Sequence, residues 1–293
     1  MSVSPVVAVS SGRFLLGKIR RFKPVLTISL LLLAGFVIIA VAAPLIAPYD
    51  PYAQDLSRRL IKPVWYNTGS WAHVFGTDGF GRDYLSRLIF GTRIALGIGV
   101  TSMLISMTIG TTLGVIAGYY GGYADLFMTY LVTTRLSMPV VLVALAVVAI
   151  VGSSLTVVIV VLGLLIWDRF AVVARTAVRQ VVDRDFVLAA RSSGCSDLRI
   201  IFFEILPTIK SSLIVVASLE VAHAILLEAA LSFLGLGVQP PLPSWGLMIS
   251  EARGMVLFNA WLIEIPGAAL FLLLLAINLV GDGIHDLSLS RDG

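Results

Sequence analysis

Long apolar stretches separated by short polar ones set the pattern of this chain. Val25 to Ala47 is an almost unbroken apolar run, and five more follow at 94–118, 125–151, 154–175, 208–234 and 257–281. Each is near or above the roughly 20 apolar residues that a helix needs to cross a bilayer. None shows the ten-residue alternation of a lipid-facing strand. The pattern predicts an all-α integral membrane protein with six transmembrane helices. Its expected divisions are an arm at 1–24, a first helix at 25–47, a polar segment at 48–93, a five-helix core at 94–282 that contains a long polar loop at 183–207, and a tail at 283–293. Pro44, Pro48 and Pro51 are expected to break the first helix.

Charge excludes the alternatives and orients the bundle. Only 38 of 293 residues are charged, 13% where an ordinary soluble domain has about 25%. Too little polar side chain remains to cover a soluble globule, and a disordered chain or a coiled coil fails for the same reason. Six spans return both termini to one side. With the N-terminus inside, that side holds 12 of the 21 Lys and Arg residues, among them Arg13, Lys18, Arg20, Arg21 and Lys23 of the arm, against seven on the other. The excess puts both termini and the loops at 119–124 and 176–207 in the cytoplasm. A basic arm before an apolar run also resembles a signal peptide, but 23 apolar residues exceed the usual h-region of about 7 to 15.

Candidate chemistry is sparse. Gly12 to Lys18 spells the start of a phosphate-cradling loop, but Ile19 stands where a Ser or Thr must hold magnesium. His73, His223 and His285 are scattered, Cys195 is alone, and no serine sits in a nucleophile elbow, so no catalytic or metal constellation is expected. Gly110, Gly114 and Gly118 fall on one face of the second span, the small-residue spacing of close helix packing.

The loop from Asp183 to Pro207 carries most information. It reads as two short amphipathic helices, with Asp183 or Asp185 as cap of the first and Ser196 of the second. Gly194 breaks the chain between them, and Pro207 is expected to end the second. Phe186, Ala189 and Ala190 share a face of the first. In the second, Leu198, Ile201, Phe202 and Ile205 recur at i, i+3, i+4 and i+7 as an apolar stripe beside Arg199 and Glu204. Such a stripe has to be buried against the membrane surface, the protein's own bundle or a separate protein.

Ala189-Ala190, Gly194 four residues on, and Leu206-Pro207 resemble the EAA loop of binding-protein-dependent ABC importer permeases, although Leu188 stands at the acidic position and Ile205 directly precedes Leu206. Glu228-Ala229-Ala230 spells the same tripeptide but has Leu234 where glycine is needed. Three further strings are similar to the C-type permease subunit of dipeptide, oligopeptide and nickel importers: Ala43 to Pro51, Gly76 to Arg87, and Leu231 to Pro241 together with Trp245-Gly246 and Asn278 to Gly283. The resemblance implies a type I importer permease fold, a second permease subunit, two ATPase subunits that bind ATP and magnesium, a periplasmic or lipid-anchored solute-binding protein, and the bacterial inner membrane as location. It also implies no cofactor and no enzymatic step in this chain, with Ala189, Ala190, Gly194, Leu198, Arg199, Ile201, Phe202, Ile205, Leu206 and Pro207 forming the ATPase-docking loop. A stand-alone secondary transporter or channel is the other class that six spans allow, and it has no need of that loop.

Ionisable residues inside spans are costly and mark either paired structural groups or a substrate path. Arg135, Asp168 and Arg169 are such residues, as are Glu220, His223 and Glu228, the last three being candidates for the substrate path. Trp65, Tyr66, Trp71 and His73 in the 48–90 region suit a contact with the binding protein, a cover over the pore mouth, or an interfacial aromatic belt.

Overall fold

In a computed structural model, residues 11–289 are described, with side chains for 24–284 and 286. The basic side chains of the arm, the Gly12–Ile19 string, His285 and Arg291 lie outside the described side chains. The described chain holds eleven α-helices: α1 (Ser11–Ile46), α2 (Tyr84–Tyr120), α3 (Gly122–Leu136), α4 (Val140–Val151), α5 (Leu155–Leu165), α6 (Asp168–Val181), α7 (Asp185–Ser192), α8 (Asp197–Ile200), α9 (Leu206–Phe233), α10 (Trp245–Ala252) and α11 (Trp261–Leu289). No named strand occurs among the described residues.

Five stretches are long and apolar enough to span a bilayer: Pro24–Ile46, Tyr84–Tyr120, Leu155–Val181, Asp197–Phe233 and Trp261–Ile284. The expected straight span at 125–151 is instead the pair α3 and α4, bent by 82°. At roughly 22 and 18 Å each is too short to cross about 30 Å of hydrocarbon alone. Pro139 sits at the N-cap of α4 and cannot donate to the preceding turn, so α3 stops at Leu136 and the chain turns. Counting the pair as one crossing gives six.

Three boundaries also differ from the hydropathy pattern. Pro44 lies inside the last turn of α1, and the helix stops only at Ile46. The last helix runs through residues 283–289, expected as tail. And α2 starts at Tyr84, ten residues before the apolar run, because Asp83 caps it by accepting the Ser86 amide at 2.8 Å. Its polar first turn reads as loop by composition, yet Tyr84, Ser86 and Arg87 are all buried.

The segment between α1 and α2 is folded. Asp55 accepts from the hydroxyl and amide of Ser57, which holds its carboxyl below the usual carboxylate range. Gly81 adopts φ +74°, and a Cβ there would collide with the Asp55 backbone. The segment is tied down by ions. Asp78 accepts from Arg82 Nε at 2.7 Å and from Arg87, while Glu251 at the end of α10 accepts from both arginines at 2.9 Å. Alongside, His73 Nδ1 lies 2.8 Å from Asp83.

Around α2 the other spans gather. Its three glycines face α6 so closely that a Cβ at Gly110 would run into the Trp167 carbonyl oxygen, one at Gly114 into that of Ala171, and one at Gly118 would lie 2.8 Å from Val178 Cβ. Packing is therefore the role of the small-residue repeat, as its spacing predicts. On other faces α2 buries Ser102 and Ser106 against carbonyls of α5, at 3.1 Å from Ile159 and 2.7 Å from Gly163.

Candidate functional site

The loop at 183–207 is built by local rules that its sequence spells out. Helix α7 ends in a Schellman turn: Gly194 donates to Arg191 at 2.9 Å and Cys195 to Ala190 at 3.1 Å, with Gly194 at φ +77°. A Cβ on Gly194 would meet open space, so a substitution costs only the left-handed conformation, about 1–2 kcal/mol. Ala190 and Cys195, the two ends of the longer bond, pack together on the same apolar core. Side-chain caps are absent, contrary to expectation. Arg184 and Ser196 occupy the two N-cap positions and neither gives a side-chain cap bond.

Beyond Ser196 the chain does not stop at Pro207. Helix α8 passes through one π-helical turn, Ile201–Ile205, in which Leu206 donates to Ile201, and continues as α9. Pro207 has no amide hydrogen and its ring crowds the carbonyl four residues back. The wide turn before it relieves both constraints. Asp197 to Phe233 is thus one lever from loop to membrane.

Exposure divides the expected stripe. Ile201 and Ile205 point inward with Val187, Ile200 and Ile209, against Val115, Ala174 and Val178 of the bundle. Both sit in the core, so they anchor the helix and are not open at its surface. Leu198 and Phe202 are exposed, and with Arg199 and Phe203 they line one open apolar concavity at the tip. Phe203 was not marked by the i, i+3, i+4 spacing because the π-helical turn rotates it outward. Of the first helix, Val187 is the fully buried residue, Ala190 is partly buried, and Phe186 and Ala189 are exposed. Tyr119 at the end of α2 fastens the tip, donating its hydroxyl to Asp197 at 2.7 Å while Arg191 stacks 5.0 Å from its ring.

Two sets of ionisable residues within the spans are paired. Arg135 donates to the Leu165 carbonyl at 2.7 Å and lies 3.2 Å from Asp168. Glu220, fully buried, lies 3.0 Å from Arg169 and 3.2 Å from His223 Nδ1. Glu228 is separate from them: it accepts from Ser232 at 2.6 Å, and Ser232 in turn accepts the Val238 amide and touches Ser244. It therefore fastens α9 to the loop that leads into α10, and the three candidates for a substrate path do not form one cluster.

Residues 110–291 match the family described as binding-protein-dependent transport system inner membrane component, and residues 20–63 match the N-terminal TM domain of oligopeptide transport permease C. The chain belongs to the ABC importer permease family. Similar proteins include the di/tripeptide transport system permease protein DppC of Pseudomonas aeruginosa, 41% identical over 88% of this chain and 85% of the relative. The dipeptide transport system permease protein DppC of Escherichia coli K12 is 44% identical over 85% of this chain and 83% of its own. A solved inward-facing structure of the MetNI methionine ABC transporter shares the fold, with a TM-score of 0.52 at 20% identity over 67% of this chain and 93% of that one.

This permease is a multi-pass membrane protein of a transport system. The motif residues divide by role in the permease. Ala190, Gly194 and Pro207 set the backbone, Ile201 and Ile205 anchor it, and Leu198, Arg199 and Phe202 are left facing out.

Proposed function

We propose that this permease carries dipeptides, short oligopeptides or a closely related small solute across the bacterial inner membrane. In this reading it forms the path with a second permease subunit and takes substrate from a periplasmic or lipid-anchored solute-binding protein. Two ATPase subunits, which hold the ATP and magnesium, drive it. The termini and the 183–207 loop lie in the cytoplasm. That assignment is supported by the excess of basic residues on that side and by the ties from Asp125 at the start of α3 to Arg175 and Arg179 near the end of α6, which hold together two segments assigned to one side.

One observation carries the reading. The Leu198, Phe202 and Phe203 tip presents exposed aromatic and aliphatic side chains on a helix continuous with a membrane span, and an amphipathic helix seated in a groove is an established docking mode. ATP binding that favours one ATPase arrangement would pull the tip and, through the lever, shift the spans between inward-open and outward-open states. The peptide substrate is supported by the relatives named for di- and tripeptide transport. Reconstitution of the four-subunit complex in proteoliposomes with ATP enclosed and the binding protein outside tests it. Labelled dialanine should accumulate inside only with ATP and the binding protein present. ATP-independent equilibration would instead support a channel or secondary transporter.

A further inference from the structure

Helix α6 is two-faced where the other long membrane helices are apolar nearly all round. One side buries Phe170, Ala171, Ala174 and Val178 without remaining exposure, while Arg169, Val172, Thr176, Arg179 and Gln180 face outward. Thr176, Arg179 and Gln180 fall in the stretch assigned to the cytoplasm, but a charged side chain on the outer side within the span needs something other than lipid against it. Arg169 makes the need acute. It stands about 20 Å along the Leu155–Val181 span from either end by helical rise, and its side chain is 56% exposed on the chain's own surface.

Arg135, another arginine within a span, shows what a purely structural arginine looks like in this bundle: 19% exposed, with both a carbonyl and a carboxylate in reach. Arg169 instead is held from beneath by the fully buried Glu220, with His223 on the other carboxylate oxygen, and its Nε and Nη2 make no further ion pair or hydrogen bond among the described residues. Glu220, 3.0 Å from Nη1, balances the guanidinium's charge. More than half of the side chain remains exposed, and a guanidinium with N–H donors to spare can take a carboxylate bidentately.

We propose that Arg169, braced by Glu220 and flanked by His223, is a carboxylate-binding station on a hydrated face of α6, and that the carboxylate it takes is the C-terminus of the transported peptide. This rests on the peptide reading above. During passage the station holds one end of a flexible zwitterion that would otherwise face an apolar wall. Thr176 and Gln180, on the same side of α6, continue the polar line toward the end of the helix at Val181.

The complete complex in proteoliposomes tests the assignment through dialanine taken up per ATP hydrolysed. Arg169→Gln should lower that ratio at least tenfold with the complex still co-purifying, and Arg169→Lys should retain part of it while raising the KM for peptide at least fivefold. If the glutamine variant does not accumulate, the lysine variant alone carries the test through KM. An unchanged ratio and KM overturn the inference. Loss of co-purification with the second permease subunit also overturns it, by making Arg169 an inter-subunit lock. Wild-type complex that takes up no dialanine overturns the peptide reading itself, and the inference with it.

Discussion

Gly114→Val will separate α2 from α6 and leave little folded permease in the membrane. A Cβ at this position enters the Ala171 carbonyl oxygen and comes within 2.8 Å of Ala174 Cβ, so the obstacle is largely backbone and cannot rotate away. Valine adds two methyl groups to that collision. The helices must part, and Phe170, Ala171, Ala174 and Val178, all without remaining exposure, lose contacts along the same seam. Overpacking of this kind costs about 3 kcal/mol or more. For a chain of this size that corresponds to a fall of roughly 10 °C in melting temperature. Gly97→Val supplies the control, because it lies in the same helix and has nothing within 4 Å of its Cβ. Thermal melts of detergent-purified protein should show the large drop for position 114 and a shift of no more than about 3 °C for position 97. Equal melts would mean that α2 and α6 are not packed through the glycine face.

The second large effect belongs to Arg87. Its side chain is fully buried and joins Asp78 and Glu251, so Arg87→Met leaves two carboxylates short of a partner, with Arg82 the remaining cation. Breaking a buried ion pair from one side costs about 3–5 kcal/mol. Glu251 keeps some contact with solvent, which favours the lower end of that range. The loss should loosen the 47–83 segment from α10 first, because Arg87 of α2 is one of the two arginines that bridge Asp78 of the segment to Glu251 of α10. Limited proteolysis at the segment and a melting temperature lowered by roughly 10 °C are the expected signs. Adding Glu251→Gln to Arg87→Met should recover part of the loss, since one unpaired charge is removed with it. A double variant no more stable than the single one would show that the two side chains act independently.

These two sites differ in how far the sequence announced them. The glycine repeat was legible because its spacing alone places three small residues on one helix face, and the contact it predicts is the one present. The arginine network was not. Asp78, Arg82 and Arg87 read as polar residues of a solvated loop, and only the return of α10 with Glu251, more than 160 residues later, explains why they are buried. Hydropathy also set α2 ten residues late for the same reason, since charges paired inside protein count as polar wherever they are.

In the coupling loop the division is finer. Ala190, Gly194 and the following residue make a turn whose hydrogen bonds follow from residue types at fixed offsets, so the local break was legible. Which apolar residues face out was less so. Ile201 and Ile205 fit the stripe by period but sit in the core, and Phe203 falls outside it yet is exposed, because the period of a helix changes over the π-helical turn that Pro207 imposes. Charges within the spans were visible as expensive residues, but Arg135 and Arg169 look alike in sequence. Their difference lies in which neighbours the fold brings within reach.

A photo-crosslinking phenylalanine analogue at position 203, in intact membranes of cells making the whole transporter, tests most directly whether the Leu198–Phe203 tip docks to an ATPase subunit. The same analogue at position 271, an exposed apolar residue of α11 within a membrane span, serves as comparison. Illumination should give an adduct of this chain with an ATPase subunit from position 203 and none from position 271. Position 203 yielding only lipid adducts or adducts within its own bundle would contradict the account.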